Sequence, residues 1–290
     1  MTKGFDIGLQ DSQATVVKPM SVEEFDFDAY EEYEKGLLEQ CRQFWESDSG
    51  VMVCRRMRVG EVFSYGCRDM RESLEWQLGG LAKSMEFKAD VANFLEPWYG
   101  IGTVASSFGG EYRWDEGQAP AVKASFTKVS DALNYDFSPV KHTQIGRHTL
   151  DMIEYFLEQT KGKLPISLSD TQSPLNIATN VVDINSLFME MFDRPDEVKE
   201  LFELLTDLMI DFSNEQLRLI GDNIVWPGHG FASSREFDGF GMSDDNALML
   251  SSEQYLDFIS SSLVKVANAF GGVVFHSCGN WGDKIEMVKT

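Results

Sequence analysis

Apolar residues recur every three or four positions in two stretches near the start of the chain. Each stretch places five of them on one helical face, namely Phe25, Tyr30, Tyr33, Leu37 and Cys41 in residues 22–46, and Met70, Leu74, Leu78, Leu81 and Met85 in residues 65–87. This spacing predicts two amphipathic helices. Ser21 followed by Glu24 is a capping-box pattern, so we expect the first helix to begin at residue 22.

Short apolar runs alternate with longer amphipathic stretches from residue 164 onward. The short runs predict strands at residues 164–169, 223–227, 240–244 and 273–276. The longer stretches predict helices at residues 183–191, 195–220 and 252–270. Strands and helices in this order and spacing indicate a parallel sheet with right-handed crossovers.

Residues 94–114 are dense in aromatic residues and glycines. We expect short strands and loops near a cavity here, because such frequent glycines mark turns and close backbone approach. Gly100 and Gly102 do not form a nucleotide fingerprint, since no third glycine follows at the required spacing. For Glu96, Trp98 and Tyr99 we expect ordinary packing.

The composition mainly argues against certain classes of binding partner. The 290 residues carry a formal net charge of −22, which disfavours binding to nucleic acid and to anionic membrane surfaces. No apolar stretch is long enough for a membrane span, and four widely spaced cysteines suit a reducing compartment. We therefore expect a cytoplasmic protein with free thiols, and 43% hydrophobic residues suffice for a sizeable core.

Polar residues follow the predicted strands, where parallel α/β sheets bind their ligands. The candidates for substrate binding are Asp170, Gln172, Asn176, Trp226 and His229, and the candidates for catalysis are Asp244 and Asp245. Asp244 and Asp245 point to opposite sides if extended, so one can face a cavity while the other caps a turn. His229 lies between two glycines and is also compatible with a surface loop, and Trp226 with either packing or a cavity wall. His142 and His148 are expected at the surface.

The tripeptide 276–278, His-Ser-Cys, ends the last predicted strand. Side chains two residues apart on a strand share a face, so His276 and Cys278 could bind one ion. Zinc takes such nitrogen and sulfur ligands, usually three or four of them. The alternative is a partly buried histidine beside an inert thiol.

Four segments, in this order, resemble the uroporphyrinogen decarboxylase superfamily. They are Asp-Thr-Gln-Ser-Pro-Leu at 170–175, Phe-Asp-Arg-Pro-Asp-Glu-Val-Lys-Glu-Leu at 192–201, Met-Leu-Ser-Ser-Glu-Gln-Tyr-Leu-Asp-Phe at 249–258 and Gly-Val-Val-Phe-His-Ser-Cys-Gly-Asn at 272–280. The last segment is similar to the metal-binding strand end of the zinc methyltransferases in that superfamily. The third segment has Ser252 where the family usually has proline.

The resemblance implies an α/β fold of the (β/α)8 TIM-barrel type. It also implies a methyltransferase in which zinc, held by His276 and Cys278, activates a thiol that accepts a methyl group from a corrinoid carrier. Asp244 or Asp245 would orient the substrate or support the ligands. The partners implied are a small thiol or methylated substrate and a corrinoid protein.

The chain departs from that family in length beyond the His-x-Cys strand. Relatives take a third zinc ligand, a cysteine, from a later segment, and Cys41, Cys54 and Cys67 sit in no matching motif. We therefore expect a barrel shortened after about five strands, with an arm and helical extension at residues 1–90 and the barrel at 91–290. A partner or a second copy of the chain, in a homo-oligomer, would then cover the open edge.

Two other functions stay open. One is decarboxylation of a porphyrinogen without metal, with a carboxylate facing the pyrrole nitrogens, although the arginine-rich N-terminal motif of that enzyme is absent. The other is a noncatalytic binding module that retains the fold. A corrinoid-binding subunit is disfavoured, because no Asp-x-His-x-x-Gly segment is present.

Overall fold

Five short segments pair side by side in chain order and organise the fold. The computed structural model describes residues 17–47, 49–87 and 89–285, so most of the predicted N-terminal arm lies outside the described residues. Leu95 pairs in parallel with Ile166, and Ile166 with Ile224. The N–H of Gly241 donates to the carbonyl of Pro227 at 3.2 Å, which joins the third segment to the fourth.

The last two of these segments are the strands β3, Phe240–Ser243, and β4, Val273–His276. They are parallel, and the register runs from Phe240 opposite Val273 to Ser243 opposite His276. A separate antiparallel pair is formed by β1, Tyr112–Arg113, and β2, Ala121–Val122. No pairing joins β4 back to Leu95 within the described ranges, so they show an α/β fold with parallel pairing but no closed barrel.

Eight α-helices connect and cover these segments in the part of the chain that the structure describes. They are α1 Phe27–Trp45, α2 Met70–Ser84, α3 Val129–Leu133, α4 Gln144–Thr160, α5 Pro174–Val181, α6 Ile184–Asp193, α7 Pro195–Ile220 and α8 Ser252–Phe270. Helix α7 is the most central, since it packs against α4, α5, α6 and α8. None of the described helices has the length and apolarity needed to cross a membrane.

The predicted bounds of α7, α8 and β4 are confirmed, but the predicted starts of α1 and α2 are wrong. Ser21 and Glu24 do bond to each other, with the Ser21 N–H 3.1 Å from Glu24 Oε2, yet they close a separate turn. Helix α1 begins later because Asp26 caps it by accepting the N–H of Ala29. Helix α2 begins after Asp69, whose carboxylate accepts two N–H groups.

No bounds were predicted for helix α4, although it is 17 residues long. It is amphipathic and buries Ile145, Leu150, Ile153 and Phe156. It follows the first paired segment after a long connection, residues 97–143, which also carries β1, β2 and α3. In a parallel α/β fold, a helix that leads into the next strand starts at the carboxyl end of the sheet. The N-terminus of α4 therefore lies at that end.

A matched pair of glycines tests how the N-terminal segment packs on α2. A Cβ added at Gly79 would overlap the backbone carbonyl oxygen of Lys18, whereas a Cβ at Gly36 in α1 would meet nothing within 4 Å. We expect Gly79→Ala to lower the free energy of unfolding by about 1–3 kcal/mol. Gly36→Ala should raise it by about 0.5–1 kcal/mol. Urea unfolding of both variants measures this, and equal effects would contradict the packing.

Candidate functional site

The ends of β3 and β4 bring Asp245, His276 and Cys278 together. The N–H of Asp244 donates to the carbonyl of His276 at 2.8 Å, which extends the β3–β4 pairing by one residue. The N–H of Cys278 then donates to Asp245 Oδ1 at 2.6 Å. One potential ligand atom from each of Asp245, His276 and Cys278 lies within 4.8 Å of the other two. We call these three residues the donor triad.

Asp244 stabilises this arrangement through hydrogen bonds of its buried carboxylate. Its side chain is fully buried, and its carboxylate accepts the N–H of Ala247 at 3.1 Å and the hydroxyl of Tyr255 at 2.9 Å. It thereby caps the short 3-10 turn Asp245–Met249, in which Asp245 is the first residue. Burial raises the pKa of Asp244 to about 7. Of the two adjacent carboxylates, Asp244 caps a turn and Asp245 is exposed beside His276 and Cys278.

The donor triad fits zinc by distance and by chemistry. Cys278 Sγ lies 3.6 Å from His276 Nε2. Tetrahedral zinc with ligands at about 2.3 Å for sulfur and about 2.05 Å for nitrogen separates those two atoms by about 3.6 Å. Burial and the negative charge of Asp245 raise the pKa of the Cys278 thiol. A cation would offset both effects and favour the thiolate ligand.

A buried ionic cluster lies at the carboxyl end of the first three paired segments. Glu96 has a completely buried side chain that pairs with Arg56 Nη2 at 2.6 Å and with Nδ1 of His229. The other ring nitrogen of His229, Nε2, lies 3.4 Å from Asp170 Oδ2. We call Arg56, Glu96, Asp170 and His229 the ionic cluster.

This cluster corrects two expectations. His229 is not in an exposed loop, because its side chain is only 15% exposed, and Glu96 is not an ordinary packing residue. The sequence signal that was missed is the apolar pair Phe94-Leu95 immediately before Glu96, which forms the first paired segment. His148, expected at the surface, is half-buried and stacks on Tyr99 with ring centroids 3.8 Å apart.

Charge interactions outweigh burial in this cluster. Burial alone would raise the pKa of Glu96, but His229 and Arg56 lower it to about 2. Burial alone would lower the pKa of His229, but Asp170 and Glu96 raise it above its usual value. The cluster therefore holds Glu96 ionised and favours the imidazolium form of His229.

Asp170 connects the ionic cluster to a chain of amide side chains. It accepts Trp98 Nε1 at 3.1 Å and Gln172 Nε2 at 2.6 Å. Asn176 Nδ2 donates to Gln172 Oε1 at 2.9 Å, and Asn176 Oδ1 accepts the N–H of Asn246 at 3.1 Å. Since Asn246 follows Asp245, this chain runs from His229 to the residue beside the donor triad. The structure thus brings the predicted residues Asp170, Gln172 and Asn176 into one network.

The donor triad and the ionic cluster share one electrostatic environment. Burial and Asp245 have the largest effects on the pKa of Cys278. In addition, the charge of Arg58 lowers this pKa and the charge of Asp170 raises it. The charge of Arg58 also lowers the pKa values of Glu96 and His229. Nη1 of Arg56 and Nε of Arg58 are buried and have no hydrogen-bond partner among the described residues. The hydrogen-bonded chain from Asp170 to Asn246 also links the two groups, so we treat them as one candidate site in which two guanidinium nitrogens are unpartnered.

A cavity of about 760 Å³ reaches the inner face of β4, where Val274 lines it. His276 lies two residues further on the same face of the strand. Phe231 also lines the cavity, and its ring centroid is 5.9 Å from that of His276. Trp226 is elsewhere, since its ring packs 6.3 Å from Phe270 of α8. The role of Trp226 in substrate binding stays a prediction.

The charges of the ionic cluster predict a pH dependence of stability. The folded-state pKa of His229 is above its ordinary 6.5, so its contribution is complete below pH 6.5 and is lost as the pH rises through the raised value. The folded-state pKa of Glu96 is about 2, below its ordinary 4.5, so its contribution is complete above pH 4.5 and is lost as the pH falls. Wild type should therefore exceed His229→Gln in unfolding free energy most between pH 4.5 and 6.5.

Urea unfolding of both proteins across that range and beyond it measures the difference. The exposed His142 gives a matched control, because it lies outside the ionic cluster and His142→Gln should change the free energy of unfolding little. A difference between wild type and His229→Gln that grows steadily above pH 7 would contradict the charge assignment.

Comparison with known proteins identifies the family. The family model described as Uroporphyrinogen decarboxylase (URO-D) matches residues 80–290, which is more than half of the chain. The chain belongs to the uroporphyrinogen decarboxylase family. The resemblance in the sequence segments is thereby confirmed, and the family implies a TIM-barrel type of α/β fold. Compared with the curated proteins by sequence, the chain matches none.

Solved structures agree with this family fold. Twenty-two chains match, and one of them is a methyltransferase from Methanosarcina mazei. That structure has a TM-score of 0.55 and 14% sequence identity, and the match covers 96% of this chain and 70% of the other. At this identity the likeness establishes a shared fold. The donor triad and three members of the ionic cluster, all except Arg56, lie within the residues that match the uroporphyrinogen decarboxylase family.

Proposed function

We propose that this member of the uroporphyrinogen decarboxylase family is a zinc-dependent methyltransferase that moves a methyl group from a corrinoid carrier to a small thiol. The observation that carries the proposal is the 3.6 Å separation of Cys278 Sγ and His276 Nε2, with an Asp245 carboxylate oxygen within 4.8 Å of both. These three donors suit zinc and leave a fourth ligand position for a substrate, as in catalytic zinc sites.

The residues of the triad have separate tasks in this proposal. His276 and Cys278 would hold the metal, and Asp245 would be the third ligand. Zinc, when bound, supplies a positive charge that keeps an acceptor thiol deprotonated and nucleophilic at neutral pH. Asp244 is a positioning residue, because it caps the turn that presents Asp245.

The surrounding residues would bind and orient the acceptor. Asp170, Gln172 and Asn176 form a hydrogen-bonded chain that ends at Asn246, and His229 contacts Asp170 at one end of it. The cavity that Val274 and Phe231 line has room for a small organic thiol. A methylated corrinoid protein would approach the carboxyl end of the strands, where Asp245 and Cys278 are exposed.

Methyl transfer in solution tests this function. Zinc-loaded protein, methylcobalamin and 2-mercaptoethanol are mixed, and loss of the cobalt–carbon absorbance is followed. We expect the protein to accelerate the reaction over zinc alone and Cys278→Ser to lose roughly 100-fold or more of that acceleration. Cys54→Ser changes an exposed thiol outside the triad and should retain full activity. A wild-type rate equal to that of zinc alone would contradict the proposal and favour a noncatalytic role.

One observation favours porphyrinogen decarboxylation as a second candidate. The unpartnered nitrogens of Arg56 and Arg58 could bind substrate carboxylates, and a carboxylate of the ionic cluster could face the pyrrole nitrogens. This chemistry needs no metal, so the two candidates separate cleanly. Decarboxylation of a porphyrinogen that survives Cys278→Ser and zinc removal, but not Arg58→Met, would establish the second candidate.

A further inference from the structure

A second cavity, of about 440 Å³, lies apart from the donor triad and the ionic cluster. One wall is the turn Ala105–Phe108 and the glycines after it, and the other is the start of α4. The two walls are tied together by Ser106 Oγ, which is 2.7 Å from Thr143 Oγ1. The volume of the cavity lies within the range of small-ligand pockets. The proposed methyl transfer leaves this cavity without a role.

The N-terminus of α4 gives this cavity a positive end. Thr143 caps the helix by accepting the N–H of Gly146 at 2.9 Å. The N–H groups of Gln144 and Ile145, the first two residues of the helix, have no acceptor within the helix. Both residues line the cavity. The first turn contains no acidic side chain that would neutralise the helix dipole. Such a helix end favours a carboxylate or another anion.

An independent observation on the opposite wall also points to a ligand. Ser107 lines the cavity, the residue is 2% exposed, and its buried hydroxyl has no hydrogen-bond partner among the described residues. A buried hydroxyl without a partner is costly, and most native proteins avoid it. A ligand atom that accepts or donates a hydrogen bond would satisfy it.

A simple anion does not match the whole cavity, because Glu111 lines it as well. That carboxylate, in a chain of net charge −22, would repel a second negative charge and attract an ammonium group. Tyr135 and Trp114 on the same walls add aromatic rings, which also attract cations. The cavity therefore combines a positive end with a negative end.

We propose that this cavity binds a small zwitterion, an amino acid with its carboxylate at the N-terminus of α4 and Ser107 and its ammonium group toward Glu111. The complementarity rests on charge at both ends, so neither a matched carboxylic acid nor a matched amine satisfies the site. Binding here is independent of metal at the donor triad.

Titrations by ligand-observed saturation-transfer NMR test the proposal on the full chain. The probes are glycine, β-alanine and γ-aminobutyrate, with propionate and propylamine as the single-charge counterparts of β-alanine. We expect saturable binding of at least one of the three zwitterions. If this is β-alanine, it should bind at least tenfold more tightly than propionate or propylamine. If it is one of the other two, the acid and the amine of matching length take their place.

Two variants assign the ends of the ligand, and a third controls for charge. Glu111→Gln should reduce zwitterion affinity to that of the matched acid, and Ser107→Ala should weaken zwitterion and acid alike. Glu116→Gln removes an exposed carboxylate outside the cavity wall and should change nothing. The proposal is overturned if none of the three zwitterions binds saturably or if the matched acid or amine binds as tightly as the zwitterion. It is also overturned if Glu116→Gln has the effect of Glu111→Gln.

Discussion

Glu96→Gln is expected to lower the free energy of unfolding by about 3–5 kcal/mol, the range for breaking one side of a buried ion pair. The side chain of Glu96 is completely buried, and its charge is the shared counter-charge of Arg56 and His229. The glutamine has nearly the same size, so packing is retained while the charge is lost. Arg56 would then be left in the interior without its counter-charge, and His229 would keep only Asp170.

Urea unfolding near pH 6 measures this effect, and a surface pair supplies the control. Glu39 pairs with Arg42 at 3.5 Å, with side chains 59% and 52% exposed, so Glu39→Gln should cost less than about 1 kcal/mol. The double variant Glu96→Gln, Arg56→Met should recover part of the loss, because it removes one unpaired charge. A cost for Glu96→Gln equal to that for Glu39→Gln would show that the cluster is not held by charge.

Cys278→Ser is expected to weaken zinc binding by roughly 100- to 1000-fold. Structural zinc sites contribute about 10–16 kcal/mol over four ligands, which is about 2.5–4 kcal/mol for each ligand. The serine hydroxyl keeps the shape of the side chain but is a poor zinc ligand at neutral pH. Competition with a chromophoric chelator measures the affinity.

Two further variants provide zinc affinities to compare with that of Cys278→Ser. Asp245→Asn should weaken zinc binding less than Cys278→Ser does, because an amide oxygen can still coordinate but carries no charge. Cys54→Ser replaces the other exposed cysteine and should leave zinc affinity unchanged. Equal zinc affinity in wild type and Cys278→Ser would remove the triad as a metal site.

The sequence was informative wherever one element carried its own pattern. The bounds of α7, α8 and β4 follow from apolar spacing, and all three agree with the structure. The start of α1 was wrong because two capping signals, Ser21 and Asp26, compete within six residues. Only the structure shows that the second one opens the helix.

The candidate site was predictable only in the part that lies close together in the sequence. His276 and Cys278 share a strand face, so spacing alone could pair them. Asp245 joins them through the β3–β4 register, which a single sequence does not specify. Glu96 and His229 are 133 residues apart and meet only because their segments pair with that of Ile166. Ordinary packing was the reasonable expectation for a lone glutamate in an aromatic loop.

X-ray absorption at the zinc edge of the purified, zinc-loaded chain tests the central claim most directly. We predict one zinc ion per chain with one sulfur neighbour at about 2.3 Å and nitrogen or oxygen neighbours at about 2.0–2.1 Å. The sulfur neighbour should disappear in Cys278→Ser. Substoichiometric zinc, a shell without sulfur, or a sulfur that persists in Cys278→Ser would contradict a metal centre built from Asp245, His276 and Cys278.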